Sequence, residues 1–408
     1  MTTLPNGVRL IVKRVPGSPT VSIVTAAVGG LRFEDPAKAG VASVTTDLLT
    51  LGTARQDAEQ FAASIENLGG SLDGSSSGVS CSVKSRWLSS DWRAGLSLVA
   101  QAWLSPAFAE NQLQDVKEET LQKIADQDDN PREAAFRLMQ RLAFGSHPLA
   151  RPENGTQATV RALSRADVVA YWNSVLQPRQ TVVSIVGDVD PAQVQQAARE
   201  LFGSFKAKVD APKAPPAIVP PTGVTTGTTK RKTWAQSVIL YGFPGASVSD
   251  PDRFSLAVLD AALSGANGGA GRIFLRLRRE KLVYEADAVS VPTLDGGLFV
   301  VYAVSTPQNR ARVRQVIEEE ASRARDTGFS PEELARVKTM CISAHAIGLQ
   351  TPAQQASEFA RNELLGLGFE DSQTYAARIS AVTSEQVQRA AQKYLDLHHA
   401  ALVIATPS

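Results

Sequence analysis

The two sides of a proline-rich stretch in this chain repeat one another, and that repeat constrains the fold more than any single motif. From about Lys206 to Thr229 the sequence carries Pro212, Pro215, Pro216, Pro220 and Pro221 with few hydrophobic side chains, the composition of an extended linker. Phe108, Leu113, Val116 and Lys117 ahead of it recur as Phe329, Leu334, Val337 and Lys338 after it. Asp35-Pro36 is echoed by Asp250-Pro251, and Val168, Leu176, Val183 and Ile185 by Val387, Leu395, Leu402 and Ile404. An offset of roughly 215 to 221 residues is the period of a duplicated domain and too long for a solenoid repeat. The expected division is an N-terminal domain over 1–208, a linker over 209–229 and a homologous C-terminal domain over 230–408.

Within each half the pattern runs from strands to helices to a closing strand. Val8–Val15 and Thr20–Val28 alternate as two strands around the turn Pro16-Gly17-Ser18-Pro19. Val79–Val83 and Leu298–Tyr302 supply further strands, and residues 111–125 and 331–346 read as long helices. Over Ala39–Leu51 the residues Val41, Val44, Leu48 and Leu51 form an apolar helical stripe, which leaves Ser43, Thr46, Asp47 and Thr50 on a neighbouring face. The expected class is α+β, with a mostly antiparallel sheet covered by helices, used twice.

The segment Gly40-Val-Ala-Ser-Val-Thr-Thr-Asp-Leu-Leu-Thr-Leu-Gly-Thr53 resembles the zinc helix of the pitrilysin and mitochondrial-processing-peptidase family, which reads Gly-Leu-Ala-His-x-x-Glu-His-x-x-x-x-Gly-Thr. Residues at i, i+3 and i+4 share a helix face, so that spacing aims two imidazoles at one zinc and a carboxylate at its water. Ser43, Thr46 and Asp47 stand at those three positions here. The family's third ligand, a downstream glutamate, falls in register on Lys123, and an ammonium cannot ligate zinc. The resemblance extends to Leu4-Pro-Asn-Gly-Val-Arg-Leu as the opening strand and to His147-Pro-Leu-Ala-Arg-Pro152 as a turn. In the second half, Leu263-Ser-Gly-Ala-Asn-Gly-Gly-Ala-Gly-Arg-Ile-Phe274 resembles the family's glycine-rich loop. Leu277-Arg-Arg-Glu-Lys-Leu-Val-Tyr284 is similar to its arginine/tyrosine motif, without the motif's glycine.

The resemblance implies two domains facing each other across a cavity and a non-catalytic subunit, with no metal in this chain. Zinc would be held by a homologous partner that keeps His-x-x-Glu-His. Arg278 and Tyr284 would bind the peptide backbone and brace developing oxyanion charge, and Gly265, Gly268, Gly269 and Gly271 would handle substrate. Alternatives are a structural scaffold, like the core subunits of the respiratory bc1 complex, or a protein that holds peptides alone without cutting them.

Composition excludes other classes. A formal net charge of +1 gives no electrostatic case for nucleic acid or an acidic membrane surface. Cys81 and Cys341 form no Cys-x-x-Cys motif and read as two buried thiols, and His147, His345, His398 and His399 have no ligand partner at helical spacing. The glycine-rich loop lacks the Gly-Lys-Ser/Thr ending of a phosphate cradle. No charged-then-apolar leader precedes Leu4–Val12, and no run is long enough to span a bilayer. A periplasmic location is expected, with a cytoplasmic or organellar one as the alternative.

Overall fold

The computed structural model describes residues 1–219, 223–265 and 269–408. Pro220 and Pro221 of the linker and Gly268 of the glycine-rich loop lie outside the described residues.

The first half begins with strands β1 (Thr2–Thr3), β2 (Arg9–Arg14) and β3 (Thr20–Val28), then helices α1 (Val41–Leu48) and α2 (Ala58–Glu66). Strands β4 (Ser71–Ser76) and β5 (Ser80–Leu88) follow, then α3 (Trp92–Leu104), α4 (Glu110–Asp129) and α5 (Pro131–Phe144). It closes with α6 (Gln157–Ala162), α7 (Arg165–Val175), β6 (Thr181–Gly187) and α8 (Pro191–Phe202). The second half runs β7 (Thr225–Arg231), β8 (Ser237–Gly245), α9 (Arg253–Leu263), α10 (Arg272–Arg279), β9 (Val283–Pro292) and β10 (Gly297–Ser305). Helices α11 (Arg310–Asp326), α12 (Pro331–Ile347), α13 (Pro352–Leu364), α14 (Asp371–Ala381) and α15 (Ser384–Tyr394) lead into β11 (Ala401–Pro407).

The strand orders match. The first sheet is β1-β2-β6-β3-β5-β4 and the second β7-β11-β8-β10-β9. In each, one pair is parallel, β2 with β6 and β7 with β11, and the remaining neighbours are antiparallel. The fold is therefore the expected α+β architecture used twice, with mixed rather than purely antiparallel sheets. The expected linker is shorter than composition indicated, because Thr225–Arg231 forms β7. Its sequence, Thr-Thr-Gly-Thr-Thr-Lys-Arg, has no buried residue, so hydrophobic alternation could not mark it; backbone pairing with β11 holds it.

The compact units do not follow a division at the linker. One comprises residues 1–124, 151–215 and 348–372, the other 125–150, 216–347 and 373–408. Each half lends a helix to the other half's sheet. Helix α13 packs on β3 and β6, where Ala356, Phe359 and Ala360 bury Ile11, Val24, Ala26, Val182 and Val186. Helix α5 packs on β8, β11 and β7, with Ala135, Met139 and Ala143 buried. This explains why β3 and β6 are apolar on both faces: Val21, Ile23 and Ala27 enter the large core beneath the unit's own helices, and Val24 and Ala26 meet α13. Both lent helices start with strong signals. Asn130 caps Pro131, and Thr351 forms a capping box with Gln354 ahead of Pro352.

Candidate functional site

Helix α1 is seated by a buried acid that sequence reasoning passed over. Glu34, in the turn after β3, accepts hydrogen bonds from Ala42 N at 2.8 Å and Gly40 N at 3.2 Å, and so caps the helix in place of an N-cap side chain. Arg151 donates to Glu34 O at 2.6 Å. Burial pushes the Glu34 carboxyl up to about 7, against the lowering effect of those backbone donors and of Arg151. The only sequence signal was an acid shortly before a helix that has no capping side chain of its own.

On the helix, Ser43, Thr46 and Asp47 each have a partner within the protein. Ser43 Oγ donates to Asn154 Oδ1 at 3.1 Å. Thr46 is fully buried, and its hydroxyl turns back to Ala42 O at 3.1 Å and Ser43 O at 3.0 Å. Beneath it runs β4, so close that a Cβ on Gly74 would fall 1.9 Å from Thr46 O. Lys123 on α4 reaches Asp47, with Nζ 3.4 Å from Oδ2. Burial raises the Asp47 carboxyl, Lys123 lowers it, and Glu119 adds a further raising effect. At that distance and exposure the pair contributes at most about 1 kcal/mol. Among the described residues there is no group of three or more His, Cys, Asp or Glu able to hold a metal ion. A zinc ion does not fit this donor set: one carboxylate, two engaged hydroxyls and a cation occupy the four places.

The second-half elements are also in place. Gly265 has φ +96° and Gly269 φ +97°, and a Cβ on Gly271 would come within 2.2 Å of Ser264 N, so three glycines are fixed by the closure of the loop itself. Helix α10 is pinned from below by Arg272, which makes two bonds to Glu333 at 2.8 and 2.7 Å and lies over Phe329, and by Arg276, which bonds Glu320 at 2.9 Å and also Glu319. Arg278 is left exposed, its guanidinium 5.8 Å from the Phe274 ring centroid. Tyr284 at the start of β9 is 60% exposed. The side chains of Arg278 and Tyr284 make no hydrogen bond or ion pair with another described residue. Between them the chain turns at Lys281, a non-glycine residue held in the left-handed region with φ +57°.

A second missed acid is Asp260 on α9. It precedes Gly265 as Asp47 precedes Gly52, and both glycines have positive φ, so Asp260 is the internal counterpart of Asp47. Its carboxylate accepts from Ser290 N at 3.0 Å and Ser264 Oγ at 3.2 Å, and burial pushes it up to about 7. The matching Asp-x-x-x-x-Gly spacing in the two halves was the available signal. Both cysteines are free and buried, and of the histidines, His147 lies 3.6 Å from Asp295 while His345 stacks on Tyr375.

Residues 9–157 match the family described as insulinase (peptidase family M16), and residues 162–341 match the peptidase M16 inactive domain. The chain belongs to the peptidase M16 family. Relatives extend over its whole length: an uncharacterized zinc protease of Mycobacterium leprae is 28% identical, with 99% of this chain and 91% of that protein covered. The uncharacterized zinc protease YmxG of Bacillus subtilis is 24% identical over 100% and 98%. Among solved structures, a peptidase M16 inactive domain from Pseudomonas fluorescens superimposes with a TM-score of 0.90 at 19% identity, covering 100% of this chain and 97% of that one. A chain of Complex III2 from Candida albicans gives 0.85 at 18% identity, covering 100% and 95%. At those identities the structures establish the shared fold.

Proposed function

We propose that this chain is the non-catalytic subunit of a heterodimeric M16 zinc metallopeptidase. It contributes peptide binding and transition-state support, through Arg278 and Tyr284, to hydrolysis at a zinc held by a homologous partner with an intact His-x-x-Glu-His helix. The observation that carries the reading is an asymmetry between the halves. In the first half Ser43, Thr46 and Lys123 are engaged within the protein, whereas in the second half Arg278 and Tyr284 are exposed and have no hydrogen-bond or ion-pair partner among the described residues, on a helix and strand that are themselves pinned.

An unengaged guanidinium and phenol on a braced support can donate to a peptide carbonyl, and such donors act most strongly on the charge that develops in the transition state. Strand β4 supports peptide handling as well. It is the outer strand of its sheet and runs under α1, so an extended peptide could add to its open edge by main-chain hydrogen bonds. The peptide bond itself would be cut at the partner's metal.

The test is reconstitution with the zinc-bearing homologue. Tyr284→Phe should leave the pair assembled and lower peptidase turnover on the order of 100-fold, the cost of removing an oxyanion donor. Arg278→Ala should act in the same direction and raise KM. A partner fully active alone, or a pair indifferent to both substitutions, would leave this chain as a scaffold.

A further inference from the structure

A cavity of about 380 Å³ opens in the first compact unit between α3, the end of α8 and the turn that follows α1. Its floor is apolar, made by Leu104, Leu176, Leu201 and Phe205. Its walls carry Ser97, Gln101, Ser105 and Ser204, and its rim carries Arg55, Lys206 and Lys208. Among the described residues no acidic side chain lines it. The rim cations form no ion pair, and the wall side chains make no hydrogen bond, with another described residue. Three cations and four polar side chains with no such partner among the described residues thus line the cavity beside four apolar ones.

The backbone that carries them is braced. Thr53 Oγ1 accepts from Arg55 N at 3.2 Å, and Ala54 N donates to Ser105 O at 2.8 Å, which closes the turn against the end of α3. Asn6 Nδ2 holds Phe202 O at 2.7 Å and Phe205 O at 3.0 Å, and Gln177 Nε2 holds Val209 O at 2.9 Å on the far side of Lys208. The volume lies within the range of roughly 300–1,000 Å³ for small-ligand sites, which are typically apolar with a few placed polar groups.

We propose that this pocket binds a carboxylate carried on a compact apolar body. The apolar part covers Leu104, Leu176, Leu201 and Phe205, and the carboxylate meets Arg55, Lys206 and Lys208, with the serines as further donors. Two sources share that chemistry: a free fatty acid and the C-terminal residue of an apolar peptide. The site shares no residue with the Arg278 and Tyr284 motif and does not depend on the zinc-bearing partner.

Calorimetric titration of the full-length chain tests it with octanoate and N-acetyl-Leu-Leu, each beside its neutral amide. At least one carboxylate should bind about tenfold or more tightly than its amide, with affinity falling as salt rises, and which one binds identifies the source. The triple variant R55A/K206A/K208A, which alters exposed side chains and should keep the wild-type unfolding temperature, should weaken that binding by about tenfold or more. Absence of binding by both carboxylates, equal binding of an amide, or unchanged affinity in the triple variant would overturn the proposal.

Discussion

At the residue scale, Thr46 is satisfied by its own helix: its hydroxyl bonds back to Ala42 O and Ser43 O. Burial raises several carboxyls in this chain, two of them most strongly. Glu34 and Asp260 are both raised to about 7 by burial, so between their ordinary values near 4 and that point the folded chain holds protons that the unfolded chain has released. Folding stability contributed by these groups is therefore greatest at acid pH and falls as pH rises toward 7. Urea unfolding across this window should show that decline, and Glu34→Gln with Asp260→Asn should flatten it; an unchanged slope in the double variant would refute the assignment. Lys281 carries a smaller expectation. A left-handed conformation costs a non-glycine residue roughly 1–2 kcal/mol and glycine loses roughly 0.5–1 in chain entropy, so Lys281→Gly should raise stability by up to about 1 kcal/mol in the same assay. The sequence showed that Ser43, Thr46 and Lys123 could not bind zinc. The Glu34 cap and the left-handed Lys281 were hidden, because one depends on a tertiary contact and the other on backbone geometry that a lysine does not announce.

The lent helices are the main discovery at the scale of elements. An amphipathic stripe in a sequence says that a helix buries one face; it does not say against which sheet. The apolar residues Ala135, Met139 and Ala143 were legible as such, but only the structure assigns them to β8 and β11 of the second half. Arg9 and Glu363 make the matching tie in the other unit, with Nη1 2.9 Å from Oε1. Met139→Ala should consequently cost about 2–5 kcal/mol, the usual result of emptying a buried site. Hydrogen exchange should place that loss in β8 and β11, with β3 and β6 unaffected. Loss of protection confined to β3 and β6 would contradict the exchange of helices.

For the whole molecule, duplication was legible because its landmarks are local in each half: a phenylalanine before a long helix, an Asp-Pro before a shorter one, and a closing apolar strand. The strand β7 was not legible, since an edge strand made of Thr, Gly, Lys and Arg carries no hydrophobic code. What the chain preserves is the frame of an M16 peptidase, including a position on α4 that faces Asp47 across 3.4 Å. The measurement that bears most directly on this is zinc content after equilibration and gel filtration, made on the purified chain and on the variant S43H/T46E/D47H/K123E. The account predicts no stoichiometric zinc in the natural chain and about one per chain in the variant, since two imidazoles and a carboxylate would then occupy the three ligand positions, with a second carboxylate beside the bound water. About one tightly held zinc in the natural chain, lost on Asp47→Ala, would contradict it.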